Sequence, residues 1–343
     1  MTKLRQNLAN GSLAIIGDVH GEIDALRALL QHLGVDTEAT SSPRTLVFVG
    51  DFVDRGPDSV AVVELISRLI DRGIAVAVLG NHELNLLRQQ HKSGNEWFWP
   101  AASEAQGELP QRRANEAERA AALALFASLP LVLERSDLQV VHACATALSS
   151  LPEDGPVVDR CAENEARIRK QFSTEDLARA KAGKEALRTS TAPGWSPDIE
   201  ANSLYEAKVQ NDNPVKVATS GRETAVAAKV SFVDEGGHWR AVDRSAWWRD
   251  WTGKPTVVGH YWRKRDPDKQ TGVFAGMGPF DWCNSVFCVD YSVGLRFKER
   301  AGGKTDGFSH GLAALLWPER TLVFDDGSTQ ATFGFAAAQA TGR

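Results

Sequence analysis

The 343-residue sequence is marked first by what it lacks. No apolar run approaches the roughly 18 residues that a membrane-spanning helix requires. The most apolar stretch, 121–133, is interrupted by Ser128 and Pro130. The opening residues, Met-Thr-Lys-Leu-Arg-Gln-Asn-Leu, hold no apolar segment of signal-peptide length. Cysteine is scarce: Cys144, Cys161, Cys283 and Cys288 form no CxxC pair, so neither a disulfide framework nor a structural zinc site is expected. A basic excess is also missing. There are 39 Lys and Arg against 44 Asp and Glu, a formal net charge of −5, which excludes general binding of nucleic-acid polymers through a cationic face. No internal repeat or low-complexity tract is present. What remains, 43% hydrophobic and 24% charged residues, rules out a disordered tail, a collagen-like fibre and a membrane bundle. These readings imply a soluble cytoplasmic protein with no membrane partner.

Short apolar, β-branched runs recur at 13–16, 45–49, 75–79, 139–141, 255–258, 286–289 and 321–324. Each has strand length and almost no polar position, the pattern of strands covered on both faces. Helical stripes separate the early runs. In 22–33 the residues Ile23, Leu26, Leu29, Leu30 and Leu33 share a face. In 59–72 the stripe is Val62, Leu65, Ile66, Leu69 and Ile70, and Gly73 suits the position just past the helix. This alternation over the first 80 residues predicts an α/β fold with helices on both faces of a sheet. Two stretches, approximately 85–130 and 146–253, break the rhythm with polar helical patterns, Gly and Pro breaks and clustered tryptophan. They read as helical insertions on the rim, so 1–343 is expected to form one enlarged domain.

The polar residues between these runs are the informative ones. After the first strand comes Gly17-Asp18-Val19-His20-Gly21, and after the second Gly50-Asp51-Phe52-Val53-Asp54-Arg55-Gly56. After the third comes Gly80-Asn81-His82-Glu83; the fourth ends in His142 and the fifth in Gly259-His260-Tyr261. Ligands of open α/β sheets bind beyond the carboxyl ends of the strands. Taken singly, Asp18 or Asp51 would read as a helix cap, and His142 as a core histidine. Those readings would have to hold five times at one end of a sheet, so a metal site is the better account. Imidazole mixed with carboxylate and amide oxygen suits manganese, iron, zinc or nickel. Six candidate ligands exceed the needs of one ion. Two ions about 3.5–4 Å apart, sharing Asp51, would clamp the attacking and leaving oxygens of a phosphoryl displacement. Arg55 would offer a planar donor fork to phosphate oxygens.

GDVHG, GDFVDRG and GNHE, followed by single histidines, resemble the calcineurin-like metallophosphoesterases. Within them the sequence is most similar to the phosphoprotein-phosphatase branch, which also includes symmetrical diadenosine tetraphosphatases and phage-type protein phosphatases. The motifs match without gaps across 17–83, while little of 90–255 aligns. The resemblance implies a metallophosphoesterase-type β-sheet core, a two-sheet sandwich flanked by helices. It also implies a hydrolase of phosphate monoesters or phosphoanhydrides that uses two divalent ions, manganese first, with iron, zinc or nickel as alternatives. Carried across, Asp18, His20 and Asp51 would hold the first metal, and Asp51, Asn81, His142 and His260 the second. His82, oriented by Asp54, would be the general acid. Arg55 would grip the phosphate, and the nucleophile would be a hydroxide bridging the metals, with no phospho-enzyme intermediate. An imidazole beside a carboxylate keeps its protonated form available near neutral pH, which independently suits that role.

Other positions are assigned with less support from the motifs. Gly259-His260-Tyr261-Trp262 lacks the second histidine of the broader superfamily's GHxH, as the phosphoprotein-phosphatase branch also does. Arg222, beside Gly221, is the candidate for the family's second phosphate-binding arginine. His238 is a rival ligand to His260 and ranks below it, because His260 follows an apolar strand. Asp290 is expected to organise the site without binding metal, and Cys144 to be a buried small hydrophobe. The chain holds ten tryptophans, and Trp239, Trp247, Trp248, Trp251 and Trp262 fall within one short span around the His260 motif. They read first as packing of the insertion onto the sheet, and second as an aromatic wall able to stack a nucleobase. The expected partner is a phosphorylated substrate: a phosphoserine or phosphothreonine protein or a small phosphate ester, with a dinucleoside tetraphosphate as the alternative. Retention of His82 and Asp54 disfavours a catalytically silent binding protein.

Overall fold

In a computed structural model, which describes residues 3–38, 41–99, 111–228, 230, 232–233 and 237–336, the apolar runs become two stacked sheets. The chain runs through β1 (Arg5–Asn7), β2 (Leu13–Ile16), α1 (Ile23–His32), β3 (Thr45–Phe48), α2 (Ser59–Asp71) and β4 (Ala75–Ala77). It continues with α3 (Asn81–Leu87), α4 (Glu116–Ser128), β5 (Val132–Glu134) and β6 (Gln139–Val141). The long excursion that follows comprises α5 (Val157–Arg169), α6 (Thr174–Thr189), α7 (Pro197–Asn211), α8 (Pro214–Ser220), β7 (Glu223–Ala225), β8 (Phe232–Val233), β9 (Trp239–Arg240) and β10 (Val242–Arg244). The chain then re-enters the core with β11 (Thr256–Val258), β12 (Val286–Cys288), α9 (Arg296–Ala301), β13 (Ala313–Trp317), β14 (Thr321–Phe324) and β15 (Thr329–Ala331).

One sheet has the order β15-β14-β13-β2-β3-β4 and the other β1-β5-β6-β11-β12. β2, β3 and β4 are parallel, as are β6, β11 and β12, so each sheet sends three neighbouring strand ends the same way. The pleat explains the continuous apolar runs. Leu13, Ile15, Val47, Val140, Val257, Phe287 and Leu315 meet in one layer between the sheets. Ala14, Ile16, Leu46 and Phe48 point the other way, into a core that includes the buried stripes of α1 and α2. The α/β two-sheet architecture expected from the sequence is the one observed.

Two differences have physical causes. The run 75–79 ends as a strand at Ala77, because the Leu79 N–H leaves the ladder and donates to the Pro130 carbonyl at 2.9 Å. β13 carries no strong strand signal, since its Ala-Ala start is a poor β former. Its conformation is imposed by antiparallel pairing with β2 on one side and β14 on the other. Of the stretch 85–130, residues 100–110 lie outside the described residues. Among those described, no helix is long and apolar enough to cross a membrane.

Leu315 sits opposite Ile15, fully buried between the sheets. Leu315→Ala should destabilise the protein by about 2–5 kcal/mol, measured as a lower urea midpoint at unchanged slope.

Candidate metal centre

The strand ends converge on one pocket floor. Asp18 and His20 follow β2; Asp51, Asp54 and Arg55 follow β3; Asn81 and His82 open α3 just after β4. His142 follows β6, His260 follows β11 and Asp290 follows β12, all from the second sheet. Close approach of the turns needs glycine. A Cβ on Gly259 would strike the Asp18 carboxylate, and one on Gly80 the Asp51 carboxylate.

Asp51 is the shared element. Its Oδ2 lies 3.2 Å from His142 Nε2, 3.9 Å from His20 Nε2 and 3.9 Å from His82 Nε2. Two groups able to hold a metal ion follow, His20–Asp51–His82 and Asp51–His142–His260, all buried and both containing Asp51. Asp18 Oδ2 lies 4.0 Å from His20 Nε2. The Asn81 amide lies 2.8 Å from His260 Nδ1 and 3.3 Å from His142 Nε2. With its NH2 turned inward it also reaches the Thr219 carbonyl at 3.2 Å; with its oxygen inward it adds a ligand atom to the second group. His238 lies on the wall of the cavity above and belongs to neither group.

The donor set fits divalent cations. His142 Nδ1 lies 2.7 Å from the Val49 carbonyl and His20 Nδ1 lies 3.0 Å from the Val53 carbonyl. Each carbonyl draws the ring proton to Nδ1 and leaves the Nε2 lone pair facing Asp51, the arrangement typical of metal-ligating histidine. Asp18, Asp51, Asp54, Glu83 and Asp290 are all no more than 2% exposed. Buried carboxylates at this density require cationic partners. In the protein chain by itself the histidines supply part of that charge. Burial opposes a charged His142, but the Asp51 carboxylate outweighs it and pushes the imidazole up to about 10. Burial also opposes ionisation of Asp51, yet His142 and His82 hold it well below the usual carboxylate range. For Asp18 the balance is reversed: burial and the neighbouring Asp290 raise it well above its ordinary value, outweighing His142 and the His260 amide.

His82 stands apart from the other histidines. Its Nδ1 is 2.5 Å from Asp54 Oδ2, and Asp54 Oδ1 accepts from Trp97 Nε1 at 2.7 Å. Burial lowers the His82 imidazole, Asp51 raises it and Arg55 lowers it, with the Asp54 bond adding to a net rise. Arg55 reaches over the site, Nη1 2.6 Å from His20 Nε2 and Nη2 3.3 Å from His82 Nε2. Its guanidinium also packs 4.8 Å from the centre of the Trp262 ring. Asp290 accepts from the Trp262 and Ser292 amides at 2.7 Å each, and Asp18 accepts from the His260 amide at 3.0 Å. Those bonds hold the turn that carries His260.

The structure places the candidate second arginine away from the cavity. Arg222 does not line the cavity over the site; Arg244 does. β10 pairs antiparallel with β7 and brings Arg244, opposite Glu223, to the wall, where its Nη1 lies 3.4 Å from the His260 carbonyl. Burial lowers the Arg244 guanidinium from its ordinary value. No motif flags Arg244, and its place depends on strand pairing inside the insertion. Sequence reasoning also left Glu83 and Trp97 without a role. Glu83, the last letter of GNHE, accepts from the amides of Asp51, Phe52 and Gly80 at 2.9, 2.7 and 3.0 Å. Trp97 was visible only as part of an aromatic cluster. Cys144 is fully buried, its thiol pushed up to about 11 by burial. The tryptophans divide: Trp247 and Trp248 pack into the core, while Trp239 and Trp262 line the cavity.

Comparison with known proteins agrees with this geometry. Residues 11–135 match the calcineurin-like phosphoesterase family model, so the resemblance carried by the three motifs holds over that part of the chain. An asymmetrical bis(5'-nucleosyl)-tetraphosphatase of Bacillus velezensis is 36% identical over 140 residues, covering 38% of this chain and 55% of that protein. The corresponding protein of Bacillus subtilis is 31% identical over 137 residues, covering 38% and 56%. A symmetrical bis(5'-nucleosyl)-tetraphosphatase of Cronobacter sakazakii is 46% identical over 76 residues, covering 22% and 25%. The chain therefore spans about half the length of the two Bacillus relatives and about a quarter of the Cronobacter one. A serine/threonine phosphatase structure from Saccharomyces cerevisiae gives a TM-score of 0.45 at 13% identity, over 97% of this chain and 84% of that one, a likeness too slight to argue from.

Because Asp51 belongs to both donor groups, Asp51→Asn should lower the occupancy of two divalent ions together, measured by elemental analysis after dialysis against manganese. One ion remaining at full occupancy would show that Asp51 is not shared.

Proposed function

We propose that the protein is a metal-dependent phosphoesterase that hydrolyses phosphate esters or anhydrides with water. The observation that carries this reading is a shared buried carboxylate, Asp51, beneath a cavity with a cationic wall. The cavity has a volume of about 1870 Å³ and is lined by eleven Lys or Arg against four Asp or Glu. Most of those acids are already paired: Glu165 with Arg88 and Lys216, Glu206 with Lys184, and Glu223 with Arg240. In a chain of net charge −5, a wall of that sign selects a polyanion. A nucleoside polyphosphate fits its size and charge, and the names of the relatives point the same way. A second reading, dephosphorylation of a protein, is favoured by the exposed Phe232 and Val233 on the same wall, which a peptide would cover.

In this reading Asp18, His20 and Asp51 hold one divalent ion, and Asp51, Asn81, His142 and His260 the other, with manganese ahead of iron, zinc or nickel. Such a pair supplies activation of water at neutral pH and neutralises charge at the phosphoryl group. The remaining work falls to the chain. Arg55 and Arg244 take non-bridging phosphate oxygens through charge-assisted bonds. His82 donates its Nδ1 proton to Asp54 and offers the Nε2 proton to the leaving oxygen. Trp97 holds the second oxygen of Asp54, which fixes the carboxylate and, through it, the plane of the His82 ring.

The test is turnover of p-nitrophenyl phosphate with manganese, followed by a panel of diadenosine tetraphosphate, phosphopeptides and mononucleotides. No turnover with any divalent ion by protein that demonstrably binds metal would sink the enzymatic reading. His82→Ala should lower kcat about 10²–10⁴-fold while metal content stays normal. Loss of both metals in that variant would instead make His82 a ligand. Arg244→Ala should lower kcat/KM about 10²-fold, against less than about twofold for Arg222→Ala. The reverse order would restore Arg222 as the phosphate-binding residue.

A further inference from the structure

Past Trp262 the cavity wall carries another cation, Lys264, on a pinned loop. The Gln270 side chain donates to the Lys264 and Asp266 carbonyls at 2.6 and 3.2 Å. The Lys264 ammonium lies 3.2 Å from His310 Nε2, and His310 Nδ1 lies 2.9 Å from Glu299 Oε2. Glu299 is itself held: it accepts from Lys304 Nζ at 2.9 Å and from the Ser309 amide at 2.8 Å. Although burial opposes its ionisation, the Ser309, Lys304 and His310 bonds hold the Glu299 carboxyl down at about 2. A carboxylate anionic at every working pH fixes the imidazole proton on Nδ1. The Nε2 lone pair then faces Lys264 and takes one of its three N–H donors. The other two are available to the cavity.

A purely structural tie does not need Lys264. The loop that carries His310 is already anchored, through Glu299 and through Arg296 Nε, which donates to the His310 carbonyl at 2.8 Å. Burial is the main influence lowering the ammonium, Lys298 and Lys269 add to it, and Asp290 and Glu299 oppose it without reversing the net fall. An arrangement that holds a cation where its own surroundings disfavour it suits a site whose anion arrives with the substrate.

We infer that Lys264, positioned by His310 and Glu299, binds a second phosphate on the leaving-group side and so favours phosphoanhydrides over phosphomonoesters. The inference rests on the phosphoesterase reading above. The Arg55 guanidinium packs 4.8 Å from the Trp262 ring, and Lys264 follows Trp262 by two residues along the same wall, so a phosphate next to the one taken by Arg55 and Arg244 would fall to Lys264. On hydrolysis the oxygen of water bonds to the attacked phosphorus and the P–O bond to the bridging oxygen breaks. The bonding pair departs with the bridging oxygen, which takes the His82 Nε2 proton. Lys264 offsets the charge on the non-bridging oxygens of that second phosphate. The proton lost by water passes to solvent, from which His82 is reprotonated.

The experiment is steady-state kinetics with manganese on diadenosine tetraphosphate and p-nitrophenyl phosphate, using the wild type, Lys264→Ala, His310→Ala and His310→Gln. Lys264→Ala should lower the kcat/KM ratio of anhydride to monoester about tenfold or more, chiefly through a higher KM for the anhydride. His310→Ala should give a smaller change in the same direction. His310→Gln should recover most of it, since the glutamine oxygen can accept from Lys264 while its NH2 donates to Glu299. Equal losses on both substrates, or none on either, would overturn the inference, and so would a wild type that cleaves only the monoester. A metal-loaded wild type that cleaves neither substrate would defeat the phosphoesterase reading itself.

Discussion

A single buried carboxylate, Asp51, sets the terms for the rest of the site. It is 2% exposed, and burying an isolated charge of this kind is expensive unless it is paired and hydrogen-bonded. The protein surrounds it on all sides. Three imidazoles approach Oδ2, while Oδ1 accepts from the His82 amide at 3.0 Å. Its own amide is held by Glu83, whose other bonds fix the turns after β3 and β4. That carboxylate would repel Asp51 if ionised. Burial, with Asp51 adding to it, raises Glu83 to about 7, so the two acids share a limited supply of positive charge. Divalent cations relieve the competition more completely than histidine protons can.

Backbone strain is concentrated in the same place. His20, Asp51, Asp54, Arg55, His260 and Trp262 all have positive φ, between 48° and 77°. For non-glycine residues such conformations cost of order 1–3 kcal/mol each and persist only where the surroundings over-determine them. The surroundings here are two sheets whose inner strands are largely apolar, plus amide bonds to Asp18, Asp290 and Glu83 that grip the turns directly. The apolar core is therefore more than a support. It supplies the rigidity that lets six residues of the site occupy conformations they would not choose alone.

This division explains what the sequence reveals. The strands around the site announce themselves because burial on both faces leaves a continuous apolar run, and the turns because a left-handed conformation and several ligands must fit within five to seven residues. Asp18, His20, Asp51, Asp54, Arg55, Asn81, His82, His142 and His260 were all legible for that reason, and the structure brings them together at one end of the two sheets. Trp97 was not legible, since its role depends on a contact 43 residues away in sequence with Asp54. Arg244 was hidden further, behind the pairing of β7 with β10 in a segment without motif or periodicity. β13 was hidden by its alanines, although pairing with β2 and β14 places it at the middle of a sheet. Features set by local turns can be read from sequence, whereas those set by long-range pairing acquire meaning only in the fold.

The opening absence of a basic excess takes on a different meaning once charge is located. A net charge of −5 describes the whole chain, but the acids and bases are not mixed evenly. Buried acids collect on the floor of the site, where two dications would neutralise them, and lysine and arginine collect on the wall above. Pairing with Arg88, Lys184, Lys216 and Arg240 leaves the wall's glutamates little net charge to present. Cations therefore outnumber acids at the mouth of the site although the chain as a whole carries an acidic excess. Under the proposed reading, that local excess would suit a short phosphate compound that fits inside the cavity. Net charge is thus a poor guide to what a site attracts, because acids buried on its floor count in the total while the cations on its wall meet the ligand.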